Sequence, residues 1–154
     1  TESDSEEIAW LNQELLTFYG LPARNQRSFV SHAIAKGVFQ ENSGLKILLA
    51  IENDNAIGFL AFSEIFALAS CQKSIFIQDL FVARKVRKSG AGRALMEALF
   101  KFAIDNEITQ IDWTTDAWNS KAIGFYEHIV PSLKTEKILY RLNEERLNQI
   151  IKKT

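Results

Sequence analysis

The run from Ile75 to Leu95 constrains this chain more than any other: I-F-I-Q-D-L-F-V, then A-R-K, then V-R-K-S-G-A-G-R-A-L. Its first part is dense in β-branched and aromatic residues, which suits a pleated, half-buried strand. From Gly90 the period changes. Apolar residues then fall at Ala91, Leu95, Ala98 or Leu99, and Phe102, as one face of a helix requires. Gly90 and Gly92 sit at the changeover, where bare backbone lets a ligand come close. The first turn of a helix leaves four N–H groups unpartnered, and the helix dipole makes that end positive. Arg84, Lys85, Arg87, Lys88 and Arg93 add side-chain charge around it. Together these describe a site for a phosphate or pyrophosphate. A solvated basic loop around an ordinary glycine turn has the same composition, so spacing alone leaves both readings open.

Two familiar phosphate motifs do not fit. A Walker loop needs Gly-Lys followed by Ser or Thr, whereas Gly92 is followed by Arg93 and Ala94. A dinucleotide fingerprint needs a third small residue where Leu95 stands. What remains is a Gln/Arg-x-x-Gly-x-Gly/Ala pattern over Arg87, Lys88, Ser89, Gly90, Ala91 and Gly92.

Any attraction for phosphate must be local, because the net charge of 154 residues is only −1. That balance argues against a nucleic-acid module, which needs a basic face with interleaved aromatics. Hydrophobic residues at 47% and charged ones at 24% are ordinary for a globular protein, and the length suits one domain over 1–154. Cys71 is the sole cysteine, so no internal disulfide can form; with no motif around it, it is a bystander. No metal-ligand cluster is evident. No apolar run approaches the roughly 18 residues of a membrane span, and the acidic start T-E-S-D-S-E-E lacks a signal core. A soluble cytoplasmic protein, without a membrane partner, is the expectation.

Taken in order, Ser3–Glu6 and Asp4–Glu7 have helix-capping spacing, and Ile8, Leu11, Leu15 and Phe18 or Tyr19 follow at helical intervals. A second helix is expected over 26–38, with Phe29, Val30, Ala33, Ile34 and Val38 inward and His32 an ordinary helix residue. Leu45–Ile51, the turn Asn53-Asp54-Asn55 and Ala56–Phe66 read as a hairpin, with a strand over Ile75–Val82 next. A helix to about Asn106, a strand over 110–115, a helix over 119–129 ended by Pro131, a strand over 134–142 and a terminal helix lined by Leu147, Ile150 and Ile151 complete the chain. The order predicts a mixed α+β fold, with a mostly antiparallel sheet flanked by helices and a βαβ crossover around Gly90.

Three segments together, I-Q-D-L-F-V, R-K-S-G-A-G-R and W-N-S-K-A-I-G-F-Y (Trp118–Tyr126), resemble the GNAT superfamily of N-acetyltransferases. The likeness is strong over residues 75–128, and the element order extends it over nearly the whole chain. It is most similar to the diamine (spermidine/spermine) and thialysine acetyltransferases, which share the central-strand pattern and a Trp-Asn with Asn seven residues before Tyr. In that fold a strand precedes the first helix; none is readable before Ser3 here.

The resemblance implies acetyl-CoA as cosubstrate. Leu80, Phe81 and Val82 would pair their backbone with the pantetheine arm, following a strand bulge for which the adjacent polar residues Gln78 and Asp79 are a weak sign. Arg87, Lys88, Ser89, Gly90, Ala91, Gly92 and Arg93 would wrap the pyrophosphate. Asn119 would contact the cofactor near its pantetheine part, although a helix N-cap is equally good chemistry for it. Tyr126 matches the tyrosine that protonates the departing thiolate. Its bland reading is an aromatic packed on the sheet.

The proton acceptor is less defined. The diamine enzymes carry a glutamate where this chain has Gln78, and an amide is no base near neutral pH. Asp79 remains, and Glu64 on the preceding strand is a second candidate; an amine that arrives neutral needs neither. The expected function is acetyl transfer to a primary amine of a small polyamine-, diamine- or amino-acid-like acceptor. The alternatives are a protein or peptide N-acetyltransferase, with the 20–25 loop forming part of a peptide groove, and a non-catalytic acyl-CoA sensor. Relatives of this kind commonly pair as homodimers, for which the C-terminal strand and helix are the expected contact.

Overall fold

A computed structural model describes residues 1–22, 26–131 and 134–152. Two compact units make up the chain, Thr1–Asp116 and Ala117–Thr154. In the first, helices α1 (Ser5–Phe18) and α2 (Arg27–Val38) precede strands β1 (Leu45–Glu52), β2 (Asn55–Ala67) and β3 (Gln72–Val82). A short 3-10 turn (Arg84–Val86), helix α3 (Ala91–Asp105) and strand β4 (Gln110–Trp113) follow. The sheet runs β1-β2-β3-β4, antiparallel except where β4 lies parallel to β3. The mixed α+β fold and the crossover through α3 are thus as the sequence predicts.

Local chemistry accounts for these elements. The β1–β2 hairpin closes on Asn53 (φ 49°) and Asp54 (φ 62°), with Glu52 paired to Asn55. Two left-handed residues make the mirror-image turn that matches strand twist, and Asn and Asp tolerate that conformation best after glycine. Helix α1 starts differently from the capping-box expectation. Thr1 Oγ1 donates to the Asp4 carboxylate at 2.9 Å, Ser5 Oγ donates to the Glu2 carbonyl at 2.6 Å, and Glu7 instead accepts from the Ala56 N–H at 3.2 Å. Glu7 is therefore committed to the hairpin rather than to its own helix end.

Each face of the sheet is covered. On one side Leu11 and Leu15 of α1 pack with Phe59, Ala61, Phe81 and Ala83, joined by the half-buried Leu45, Ile47, Leu49 and Val86. On the other, Leu95, Met96, Leu99 and Ala103 are the buried stripe of α3, and Phe102 meets Phe62 edge-on at 5.2 Å. Of the two stripe options read from sequence, Leu99 is buried and Ala98 is not. Helix α2 departs from expectation, since it buries no residue fully and Phe29 is 59% exposed. Its contacts are chiefly with α1, so only Val30, Ile34 and Val38 of the predicted face are even half-buried.

The second unit holds α4 (Ser120–Ile129) and α5 (Glu144–Ile151). Both start on asparagine caps: Asn119 Oδ1 accepts from the Ala122 N–H at 3.2 Å, and Asn143 Oδ1 from the Arg146 N–H at 3.0 Å. The strand expected over 134–142 is absent among the described residues, where that segment is irregular. Ile138, Leu139 and Tyr140 have the residue types of a strand but no ladder partner, and β-propensity without a partner makes no sheet. Among the described residues no helix is long and apolar enough to cross a membrane.

Candidate active site

The centre of β3 carries the departure from regularity that the sequence suggests. Asp79 pairs with Ala61, but the next ladder pair is Ile77 with Phe62, so Gln78 is an extra residue on β3. This is a β-bulge, and it brings two consecutive side chains toward one side of the sheet. Asp79 shares the α1 side with its partner Ala61. Gln78 is held there too, its Nε2 donating to Ser63 Oγ at 2.9 Å. Beyond the bulge, β3 keeps β2 as a neighbour to Val82 but loses β4, whose ladder stops at Ile77–Trp113. The backbone edge of Gln78–Val82, which includes Leu80 and Phe81, has no strand beside it on that side among the described residues.

That open edge leads directly to the glycine loop. Lys88 (φ 71°) and Gly90 (φ 94°) both adopt left-handed backbone, which turns the chain sharply into α3. A Cβ built at Gly90 meets nothing within 4 Å, so the space over it is open. Among the described residues no protein acceptor meets the N–H groups of Gly90, Gly92 or Arg93, and the Ala91 N–H has only a long contact of 3.4 Å to Ser89 Oγ. Successive unengaged N–H groups at a positive helix end suit a pyrophosphate. Side-chain charge is unequally available: Arg93 is paired with Glu97 at 2.8 Å, whereas Lys88 has no ion-pair partner among the described residues.

Asp79 is the titratable group at the bulge. Partial withdrawal from water holds its carboxyl above the ordinary carboxylate value, even though the residue as a whole keeps an open surface. Tyr19, at the end of α1, is raised as well, first by burial and then by the charges of Asp116 and Asp79. Tyr19 thus lies within electrostatic reach of both Asp79 and Asp116, a neighbourhood that sequence reasoning missed. The available signals were the aromatic pair at the end of α1 and a carboxylate two residues before Trp118.

Glu64 is not brought to that place. Its β3 partner is Ile75, on the α3 side of the sheet, where its carboxylate pairs with Lys46 and the Lys46 ammonium lies 5.0 Å from the Phe102 ring. The bulge and the strand's alternation put Asp79 on the opposite face. Asn119 and Tyr126 belong to the second unit, one the N-cap of α4 and the other two turns further along it. Tyr126 is half-buried and meets Phe125 edge-on at 5.3 Å. No group of His, Cys, Asp or Glu suited to a metal ion occurs among the described residues.

A sheet that parts beside a bulged strand, with a glycine-rich helix start below the gap, defines an acyl-CoA-type binding fold. Residues 8–129 match the Acetyltransferase (GNAT) family, and the chain belongs to that family. It is similar to an L-ornithine N5-acetyltransferase of Arabidopsis thaliana, at 30% identity over 62% of this chain and 42% of that protein. It is also similar to a D-amino-acid N-acetyltransferase of Saccharomyces cerevisiae, at 29% identity over 60% of this chain and 56% of that one. The matched region thus spans about half the length of these curated relatives. Among solved structures, an integron cassette protein from the mobile metagenome of V. cholerae superposes with a TM-score of 0.87 at 29% identity, covering 99% of this chain and 94% of its own.

Proposed function

We propose that this chain is an N-acetyltransferase that moves the acetyl group of acetyl-CoA to the primary amine of a small, amino-acid- or diamine-like molecule. One observation carries the reading: the unpaired edge of β3 past the Gln78 bulge runs straight into the unengaged N–H groups of Gly90, Gly92 and Arg93. Leu80, Phe81 and Val82 would hold the pantetheine arm, and the loop from Lys88 to Arg93 the pyrophosphate. Bound there, acetyl-CoA supplies an acetyl group already activated as a thioester. The family match crosses both units, which supports treating 1–154 as one acetyltransferase domain. The ornithine and D-amino-acid enzymes support an amine acceptor of amino-acid character.

The protein's own residues have two proton problems to solve. An alkyl ammonium with a pKa near ~10.4 costs roughly 4–5 kcal/mol to present as a free amine at pH 7. Asp79 would accept that proton, directly or through a water. Its raised pKa makes it a better base than an ordinary aspartate, because proton transfer is most effective when the base's pKa lies near the working pH. Gln78 cannot take this role; its amide donates to Ser63 and fixes the bulge. Tyr126 Oη is assigned the second proton, given to the sulfur as it leaves, and Asn119 caps α4 and so fixes the helix that carries Tyr126. The test is thiol release from acetyl-CoA across a panel of amines.

A further inference from the structure

Arg87 opens the glycine-loop pattern, and the resemblance places it among the groups that wrap the pyrophosphate. Its side chain goes elsewhere. The Nε–H donates to the Val82 carbonyl at 3.2 Å, and the guanidinium carbon lies 5.0 Å from the Phe18 ring centroid and 5.7 Å from that of Phe81. Phe18 is the last residue of α1, while Phe81 lies two residues past Asp79 on β3. Phe18 in turn meets Tyr19 edge-on, with centroids 5.3 Å apart and planes at 77°. A single cation therefore bridges the end of α1 to the strand that bears the proposed base. A guanidinium suits this bridge because it is always charged, is planar enough to lie on rings, and keeps an N–H for a carbonyl. An ammonium offers a point charge and no plane.

We propose that Arg87 is a positioning residue for the acceptor side of the reaction, pinning Phe18 and with it Tyr19 beside Asp79, and that its side chain does not ligate the cofactor's pyrophosphate. The proposal rests on the reading of Asp79 as the acceptor's proton acceptor. Tyr19 then forms one wall of the place where the ammonium arrives. A phenol ring with Asp79 and Asp116 nearby offers a cation a π-face and negative charge together.

The test compares Arg87→Met, Arg87→Lys, Phe18→Leu and the Arg87→Met/Phe18→Leu double variant. Coenzyme A affinity is read by calorimetry, thermal unfolding gives a double-mutant cycle, and initial rates give acceptor KM and kcat. Coenzyme A affinity is expected to stay within about threefold of wild type in every variant. Acceptor KM is expected to rise about two- to fivefold in Arg87→Met and in Phe18→Leu, the range a solvent-exposed cation–π contact spans. Arg87→Lys restores little of it, and the double variant is no worse than the worse single one in KM or melting temperature. A loss of coenzyme A affinity of about tenfold or more in Arg87→Met, recovered by lysine, would make Arg87 a phosphate ligand and overturn the proposal, as would strictly additive effects. If wild type acetylates no amine, the functional reading fails, while the calorimetry and the unfolding cycle still decide the placement of Arg87.

Discussion

Asp79 stands opposite Ala61 across the β2–β3 ladder, and Gln78, the residue before it, has no partner opposite because Phe62 already pairs with Ile77. The bulge therefore fixes which side of the sheet the only carboxylate of the Gln78–Val82 edge faces.

Replacing Asp79 tests that placement through stability and rate together. A carboxyl whose native pKa is raised contributes stability fully present below its ordinary value of 3.8, lost as pH climbs through the raised native value. Asparagine stays neutral throughout. Asp79→Asn should therefore unfold at higher temperature than wild type at pH 7, with the advantage gone by about pH 3. Its turnover should fall about 100-fold or more, with the acidic limb of the pH–rate profile removed. An unmoved profile would mean that Asp79 holds no proton in the reaction.

Glu64 gives the contrasting case. It faces the α3 side and is engaged by Lys46, both side chains substantially open to water. Such pairs contribute between 0 and about 1 kcal/mol. Glu64→Gln should leave kcat within about twofold and lower stability by no more than that amount, checked by initial rates and urea unfolding. A displaced pH–rate profile in this variant would put the base on the other face of the sheet.

Gly58 tests the close approach of β2 to β3, the strand proposed to hold the cofactor. A Cβ added there would come 2.7 Å from the Phe81 carbonyl oxygen and 3.2 Å from a Val82 methyl. The carbonyl oxygen is backbone and cannot yield without moving β3. Gly58→Ala should cost about 1–3 kcal/mol in urea unfolding and weaken coenzyme A binding through the displaced Phe81–Val82 backbone. Wild-type stability would show that the two strands slide apart freely.

The readable and unreadable parts of this chain divide on physical grounds. The Gly90 helix start and the Gln78–Asp79 bulge are readable because each is a local break in period: two glycines where β gives way to α, and two polar residues inside an apolar strand. Glu64 is misplaced by sequence reasoning because its face depends on strand register, and a slip of one residue exchanges the two faces. Residues 134–142 read as a strand because composition reports propensity, while a strand also needs a neighbour that no local pattern names. The place of Arg87 in the glycine pattern assigns its side chain to phosphate, whereas the rings that hold it come from α1 and β3, distant in sequence. The loop considered for a peptide groove includes Ala23, Arg24 and Asn25, which lie outside the described residues.

Tyr126 is the residue proposed for the leaving-group half of the mechanism. Phenylalanine keeps the ring and its edge-on contact with Phe125 and removes the hydroxyl that would give the proton. Tyr126→Phe should lower kcat about 100-fold while coenzyme A affinity, read by calorimetry, stays nearly unchanged. Turnover equal to wild type would remove Tyr126 from the reaction and leave it as a packing residue of α4.

The most direct measurement is stoichiometric: acetyl-CoA is offered with ornithine-like amino acids, D-amino acids, diamines and a lysine-containing peptide, and released thiol is counted against acetylated amine. The account predicts one thiol per acetylated amine, with small amino-acid- or diamine-like acceptors preferred over the peptide. Tight binding of coenzyme A with no thiol released from any amine would contradict it, and would make the chain an acyl-CoA sensor that keeps the fold and the loop without the transfer.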